Sequence, residues 1–233
     1  MLFYNYDYLL FILPGLLLSL WATWRTRSAF KKYSRVRSAR GLTGAQAAQT
    51  MLSAAGINDV RVVPVAGNLS DHYNPATKQL ALSEGVYGSA SIAAVGVACH
   101  EAGHAVQHAL GYKPLGLRTL LVPTANIGSS IGYIVMMVGL LLLHSPQVVL
   151  FGALLFSAVL LFQVVTLPVE FDASARAKRL AVETGIVLPQ ERQGMDRVLN
   201  AAALTYVAAV VSTLLTLLYY LMRAGLLGGG RRS

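Results

Sequence analysis

Two histidines four residues apart, with a glutamate directly after the first, make His100-Glu101-Ala102-Gly103-His104 the stretch of this 233-residue chain best suited to metal-assisted hydrolysis. On an α-helix, residues four apart differ by about 400° of rotation, so both imidazoles stand on one face, a turn apart. Two neutral imidazoles so placed can hold a zinc ion, and Glu101 is close enough to act as base on a water that the ion activates. A catalytic zinc takes three protein ligands and keeps one position open. The pentapeptide therefore needs a helix beneath it and a second element that returns a further ligand to its side.

The helix is legible. The small and apolar run from Ser91 to Cys99 leads into the motif, Ser89 or Ser91 can cap it, and Gly111 with Pro114 beyond stops it. Upstream, Thr43-Gly44-Ala45-Gln46 fits a capping box opening a helix through about Ala55, and Gly56 suits its end. Val60–Val65 reads as a strand, Gly67-Asn68 as a turn and Leu69–Pro75 as a polar loop. Gln79–Ser83 alternates like a second strand, and the two are expected to form a short β-hairpin. The single cysteine, Cys99, excludes an intrachain disulfide and a zinc ribbon. It lies about 100° around the helix from His100, which suits packing better than ligation.

The rest of the composition points to a bilayer. Hydrophobic residues make up 55% of the chain, charged residues 12%, and mean hydropathy is +0.55; an ordinary soluble domain carries about 25% charged residues. Leu9–Trp24 is almost purely apolar, with Tyr4, Tyr6 and Tyr8 at its start, and reads as an uncleaved anchor. Arg25, Arg27, Lys31, Lys32, Arg35, Arg37 and Arg40 follow at once. This bias places residue 25 onward in the cytoplasm and the N-terminus outside. Further spans are expected at 119–143, where Gly128 and Gly132 have the small-xxx-small spacing of close helix approach, at 148–167 and at 201–222. The chain thus divides into an anchor (1–25), a lobe carrying the pentapeptide (26–118), a membrane hairpin (119–167), a cytoplasmic segment (168–200), a fourth span (201–222) and a tail (223–233). Sixteen of the nineteen basic residues then fall on the cytoplasmic side; Arg223, Arg231 and Arg232 do not. The net charge of +9 is concentrated beside apolar segments, which implies a lipid bilayer as partner and no nucleic acid. The spans hold no membrane-centred charge, only the neutral Gln163, which disfavours a transporter.

The hairpin leaves and re-enters on the same side, so residues 168–200 can deliver the third ligand. Glu170 and Asp172 are the candidates; about 200° apart on a helix starting at Pro168, they cannot both face one metal. His72, Tyr73, His108 and Arg176 are candidates to stabilise an oxyanion, and the edge of the strand pair could take an extended peptide.

Several motifs together carry a resemblance: Leu69-Ser70-Asp71-His72-Tyr73-Asn74-Pro75, Leu82-Ser83-Glu84, the pentapeptide through Tyr112, and Leu167-Pro168-Val169-Glu170-Phe171-Asp172-Ala173-Ser174. With their span order they resemble the YugP-like bacterial integral-membrane zinc metallopeptidases, over nearly the whole chain. The resemblance implies a mainly α integral membrane protein, with four transmembrane helices and a small α+β zincin-like lobe at the cytoplasmic membrane surface. It implies Zn2+ held by His100, His104 and Glu170, with Glu101 as general base; His72 and Tyr73 are expected at the catalytic site as oxyanion candidates from the residues themselves. It implies hydrolysis of protein or peptide substrates, membrane proteins among them, in the bacterial plasma (inner) membrane with a cytoplasm-facing site. The chain is also similar to HtpX-type proteases and the CAAX prenyl endopeptidase. Those carry an aspartate four residues after the glutamate ligand, where this chain has Ser174; Asp172 or Asp71 is the expected replacement.

Overall fold

A computed structural model describes residues 6–227. Tyr4, the glycines 228–230, Arg231 and Arg232 lie outside the described residues. In chain order the elements are α1 (Tyr6–Tyr33), α2 (Gly44–Ala54), β1 (Arg61–Val65), β2 (His72–Asn74), β3 (Gln79–Ser83), α3 (Glu84–Tyr87), α4 (Ile92–Ala109), α5 (Lys113–Ile127), a π-helical turn (Gly128–Gly132), α6 (Tyr133–Leu141), α7 (Pro146–Glu183) and α8 (Arg192–Arg223). Among the described residues, four helical stretches are long and apolar enough to cross a membrane: α1, Lys113–Leu141, α7 and α8. The protein is a mainly α membrane protein with a small α+β lobe.

The chain forms two compact units. One takes the residues up to Trp21, Leu117–Leu167 and those from Thr205 onward. Its helices approach through small residues: a methyl built at Gly128 would stand 2.4 Å from the Leu155 carbonyl oxygen, and one at Gly132 would stand 2.7 Å from the Phe156 nitrogen. The Gly128/Gly132 spacing thus marks a real backbone contact. Ser212 donates to the Gly15 carbonyl at 3.0 Å, tying α8 to α1. Arg223, one of the basic residues on the unfavoured side, sits 3.7 Å from Asp7, which balances its charge.

The other unit takes Ala22–Gly116 and Pro168–Leu204 and contains the pentapeptide. Thr43 and Gln46 cap α2 reciprocally, as the sequence predicts, and Gly56 ends it with φ +71°. Ser91 is the cap of α4, accepting from the Ala94 amide at 3.2 Å, and Gly111 takes φ +63° beyond its last turn. Alanine, glycine and valine dominate α4, and it is buried on nearly every side, Glu101, His104 and Gln107 included. Its neighbours include Met51 and Leu52 of α2 and Leu80 and Leu82 of β3, all fully buried.

Two expectations need correction. The strands at 60–65 and 79–83 do pair, but in parallel, Arg61 opposite Gln79 through Val65 opposite Ser83. The antiparallel hairpin is instead formed by β2 and β3, giving the order β1-β3-β2. The thirteen-residue link between the two longer strands folds back as its own short strand, turning where Asn74 Oδ1 accepts from the amides of Ala76 and Thr77. Pro168 does not begin a helix; α7 runs through it without a break. Val169, Ala173, Ala177 and Ala181, each four apart, are all fully buried. Burial of that stripe outweighs the local cost of the proline.

Candidate metal centre

α4 and α7 cross at Gly103 and Ala173. A methyl at Gly103 would stand 2.6 Å from the Ala173 carbonyl oxygen, so only glycine allows this separation. The crossing brings Glu170, one turn earlier on α7, to the face of α4 that carries both histidines. Glu170 Oε2 lies 3.2 Å from His100 Nε2 and 3.6 Å from His104 Nε2. These three residues form the group of potential metal ligands among the described residues, one donor atom from each lying within 4.8 Å of the others.

The far sides of both rings are held. His100 Nδ1 pairs with Ser174 Oγ at 3.1 Å, and His104 Nδ1 with Gln107 Oε1 at 3.0 Å. Gln107 is wholly buried. Its amide nitrogen donates to the Val169 carbonyl and to Asp172 Oδ2, each at 2.8 Å. Both of those partners are acceptors, so that end must be the NH2 and the amide oxygen must face His104. His104 therefore carries its proton on Nδ1 and turns the Nε2 lone pair toward Glu170. Asp172 is fixed in turn by Arg176 at 2.6 Å.

This arrangement fits a zinc ion. A lone pair and a carboxylate oxygen at 3.6 Å repel unless positive charge lies between them. Ligands about 2.0–2.1 Å from a tetrahedral zinc stand about 3.4 Å apart, and the two His–Glu separations bracket that figure. Without metal the site draws a proton instead: burial works against the His104 imidazolium, but the Glu170 carboxylate and the Glu101 charge outweigh it and raise its pKa above the ordinary value. The His100 side chain keeps 15% of its surface exposed against 3% for Glu170, so the open side of the site lies at His100.

The other sequence candidates separate cleanly. Glu101 is buried beside the two histidines on α4. Cys99 is also buried, and loss of solvation pushes its thiol pKa up to about 12, so it remains a neutral packing group. Tyr73 reaches α4, its hydroxyl 2.8 Å from His108 Nδ1, one helical turn beyond His104. His72 precedes it on β2 and so points to the opposite face; it is exposed and bonds the Ser70 carbonyl of its own loop at 2.8 Å. Asp71 holds the Ser83 amide at 2.8 Å, which anchors the sheet rather than a histidine. Of the two residues expected to replace the aspartate absent at 174, Asp172 acts through Gln107, while Ser174 itself meets His100. Gln107 escaped sequence reading, although an amide three residues after His104, on the helix face that carries both histidines, was the available signal.

Comparison with known proteins places the chain in a family. Residues 8–225 match the family model described as "Putative neutral zinc metallopeptidase". The chain is 45% identical over 205 residues to the "Putative membrane protease YugP" of Bacillus subtilis (strain 168), covering 88% of this chain and 91% of that protein. No solved structure matches it.

Proposed function

Because the chain belongs to this neutral zinc metallopeptidase family, we propose that it is a membrane-bound endopeptidase of the glutamate-zincin type. His100, His104 and Glu170 would hold the ion, and Glu101 serves as general base. The observation that carries this reading is the convergence of two braced imidazoles and a buried carboxylate beside Glu101. When bound, zinc supplies a Lewis acid that makes water acidic near neutral pH and polarises a carbonyl.

The chain's own residues supply the rest. The Glu101 carboxylate takes a proton from the attacking water and passes it to the leaving amine. Tyr73 retains its proton, since burial and then the charge of Asp59 raise its pKa. In the His108 tautomer protonated on Nδ1, that nitrogen donates to the Tyr73 oxygen and leaves the phenolic hydrogen to meet a developing oxyanion. Ser174 and Gln107 hold the rings still. His72, on the other face of β2, has no part in this scheme.

The substrates are proteins or peptides, membrane proteins among them, cut at the cytoplasmic surface of a bacterial plasma membrane. The basic segment after the first span supports the cytoplasmic side, and the name of the Bacillus relative, a membrane protease, supports the membrane. The test is metal analysis and casein cleavage by purified wild type, Glu101→Gln and Glu170→Ala. Glu101→Gln should retain about one zinc per chain and lose at least 100-fold in turnover, and Glu170→Ala should lose the zinc. Undiminished cleavage by Glu101→Gln would refute the base assignment.

A further inference from the structure

At the end of the apolar part of α1, a cavity of about 350 Å³ opens between α1 and the start of α8. Trp24, Arg25, Lys32 and Tyr33 line it from α1, and Arg197 and Asn200 from α8. Every charged side chain in its wall is a cation. The nearest acid in sequence, Asp196, is engaged elsewhere, 3.8 Å from Arg192 and 3.9 Å from Lys178. Asn200 accepts from Lys178 Nζ at 2.5 Å through its Oδ1, which leaves its amide nitrogen as the end available to a ligand. Ser28 adds a hydroxyl.

The walls are fixed at both ends. The Thr26 hydroxyl lies 2.9 Å from the Ala201 carbonyl and 2.8 Å from that of Ala22, closing α1 on α8 at one end. At the other, a methyl on Gly194 would stand 2.9 Å from the Tyr33 ring, so the helices again approach closely. The Lys32 ammonium sits 5.5 Å from the centroid of that ring. Trp24 is the last residue of the apolar run and is 67% exposed. An amphipathic ring at the end of a span marks the headgroup level of a bilayer. The cavity thus lies where the chain leaves hydrocarbon, within the volume range of small-ligand sites.

We propose that this cavity binds the phosphodiester headgroup of an anionic phospholipid. A cluster of cations with no acid in the wall suits a phosphate whose lipid carries no amine, and Trp24 gives its glycerol backbone an apolar neighbour. A zwitterionic headgroup would bring its own ammonium toward Arg25, Lys32 and Arg197. The site uses none of the metal-centre residues and stands whether or not the chain cleaves peptides.

The test uses the full chain purified in neutral detergent, titrated with dioctanoyl phosphatidylglycerol, dioctanoyl phosphatidylcholine and glycerol 1-phosphate. Phosphatidylglycerol should bind saturably, and Lys32→Gln/Arg197→Gln should weaken it about thirtyfold, in proportion to two lost interfacial cations. Equal binding of phosphatidylcholine, or binding unchanged in the double variant, overturns the proposal. Glycerol 1-phosphate binding as tightly as the lipid also overturns it, assigning the cavity to a soluble phosphate. A second measurement does not depend on the double variant's folding. In Trp21→Phe, which leaves Trp24 as the only tryptophan, brominated phosphatidylglycerol should quench fluorescence more than brominated phosphatidylcholine at equal mole fraction. Equal quenching counts against the site.

Discussion

Gly103 rests on the backbone of Ala173, and a methyl at Gly103 would lie 2.6 Å from the Ala173 oxygen and 3.3 Å from its Cα. Backbone cannot swing aside as a flexible side chain can, so Gly103→Ala must push α7 away from α4. Ala173 lies between Glu170 and Ser174, so the same retreat moves both the carboxylate and the hydroxyl that meet the histidines. Overpacking of this kind costs about 1–3 kcal/mol. Gly103→Ala should therefore lower the thermal midpoint by several degrees and weaken zinc binding together. Gly85→Ala, where a methyl meets nothing within 4 Å, should change neither. Differential scanning fluorimetry with and without zinc would check both.

Gln107 sets the orientation of His104, and its loss should be felt at the metal more than in the fold. Gln107→Leu keeps the buried volume but leaves the His104 Nδ1–H without its acceptor and removes the donor to the Val169 carbonyl and Asp172. Removing such support typically costs 10–100-fold in metal affinity. Gln107→Glu retains an acceptor for His104 but sets a carboxylate against Asp172 and should bind zinc worse than wild type. Competition with a chromophoric chelator would rank wild type above both variants. Equal affinities would mean that the amide does not govern the ring.

These two residues also show what the sequence held and what it did not. His100, Glu101 and His104 announce themselves because ligand chemistry at helical spacing needs no tertiary information, and the caps of α2 and α4 follow from local backbone demands. Glu170 and Asp172 were separable only by the direction each faces, which the crossing at Gly103 decides. That crossing lies in an unconstrained position of the motif and has no sequence signature of its own. The parallel β1–β3 pairing and the unbroken passage of α7 through Pro168 were illegible for a related reason. In both, burial against distant residues overrides a local signal, a turn in one case and a proline in the other.

Cys99 offers a route to topology. The chain has one cysteine. It is buried, with its thiol pKa pushed up to about 12, so at pH 8 little thiolate forms and no reagent reaches it. The folded protein should resist maleimide and react once denatured. An introduced cysteine then reports alone. Ser34→Cys, exposed just beyond α1, should label with an impermeant maleimide only after cells are opened. Gln147→Cys, exposed at the start of α7, should label on intact cells. Labelling of both positions on intact cells would overturn the cytoplasmic placement.

Tyr73 and His72 are neighbours in sequence with opposite expected phenotypes. Tyr73 packs against the lobe core and meets His108, one turn beyond His104, whereas His72 is exposed on the other face of β2. Tyr73→Phe keeps the ring and removes only the hydroxyl, so zinc content and stability should hold. If that hydroxyl donates to the oxyanion, kcat should fall about 10²–10³-fold with little change in KM, because the bond forms only as charge develops. His108→Ala should lower kcat in the same direction by freeing the phenol from its partner. His72→Ala should stay within about twofold of wild type on both constants, as an exposed side chain that bonds only its own loop has little to lose. Steady-state kinetics on a fluorogenic peptide would separate the cases, and a loss at His72 as large as that at Tyr73 would assign the oxyanion donor to the wrong face of the strand.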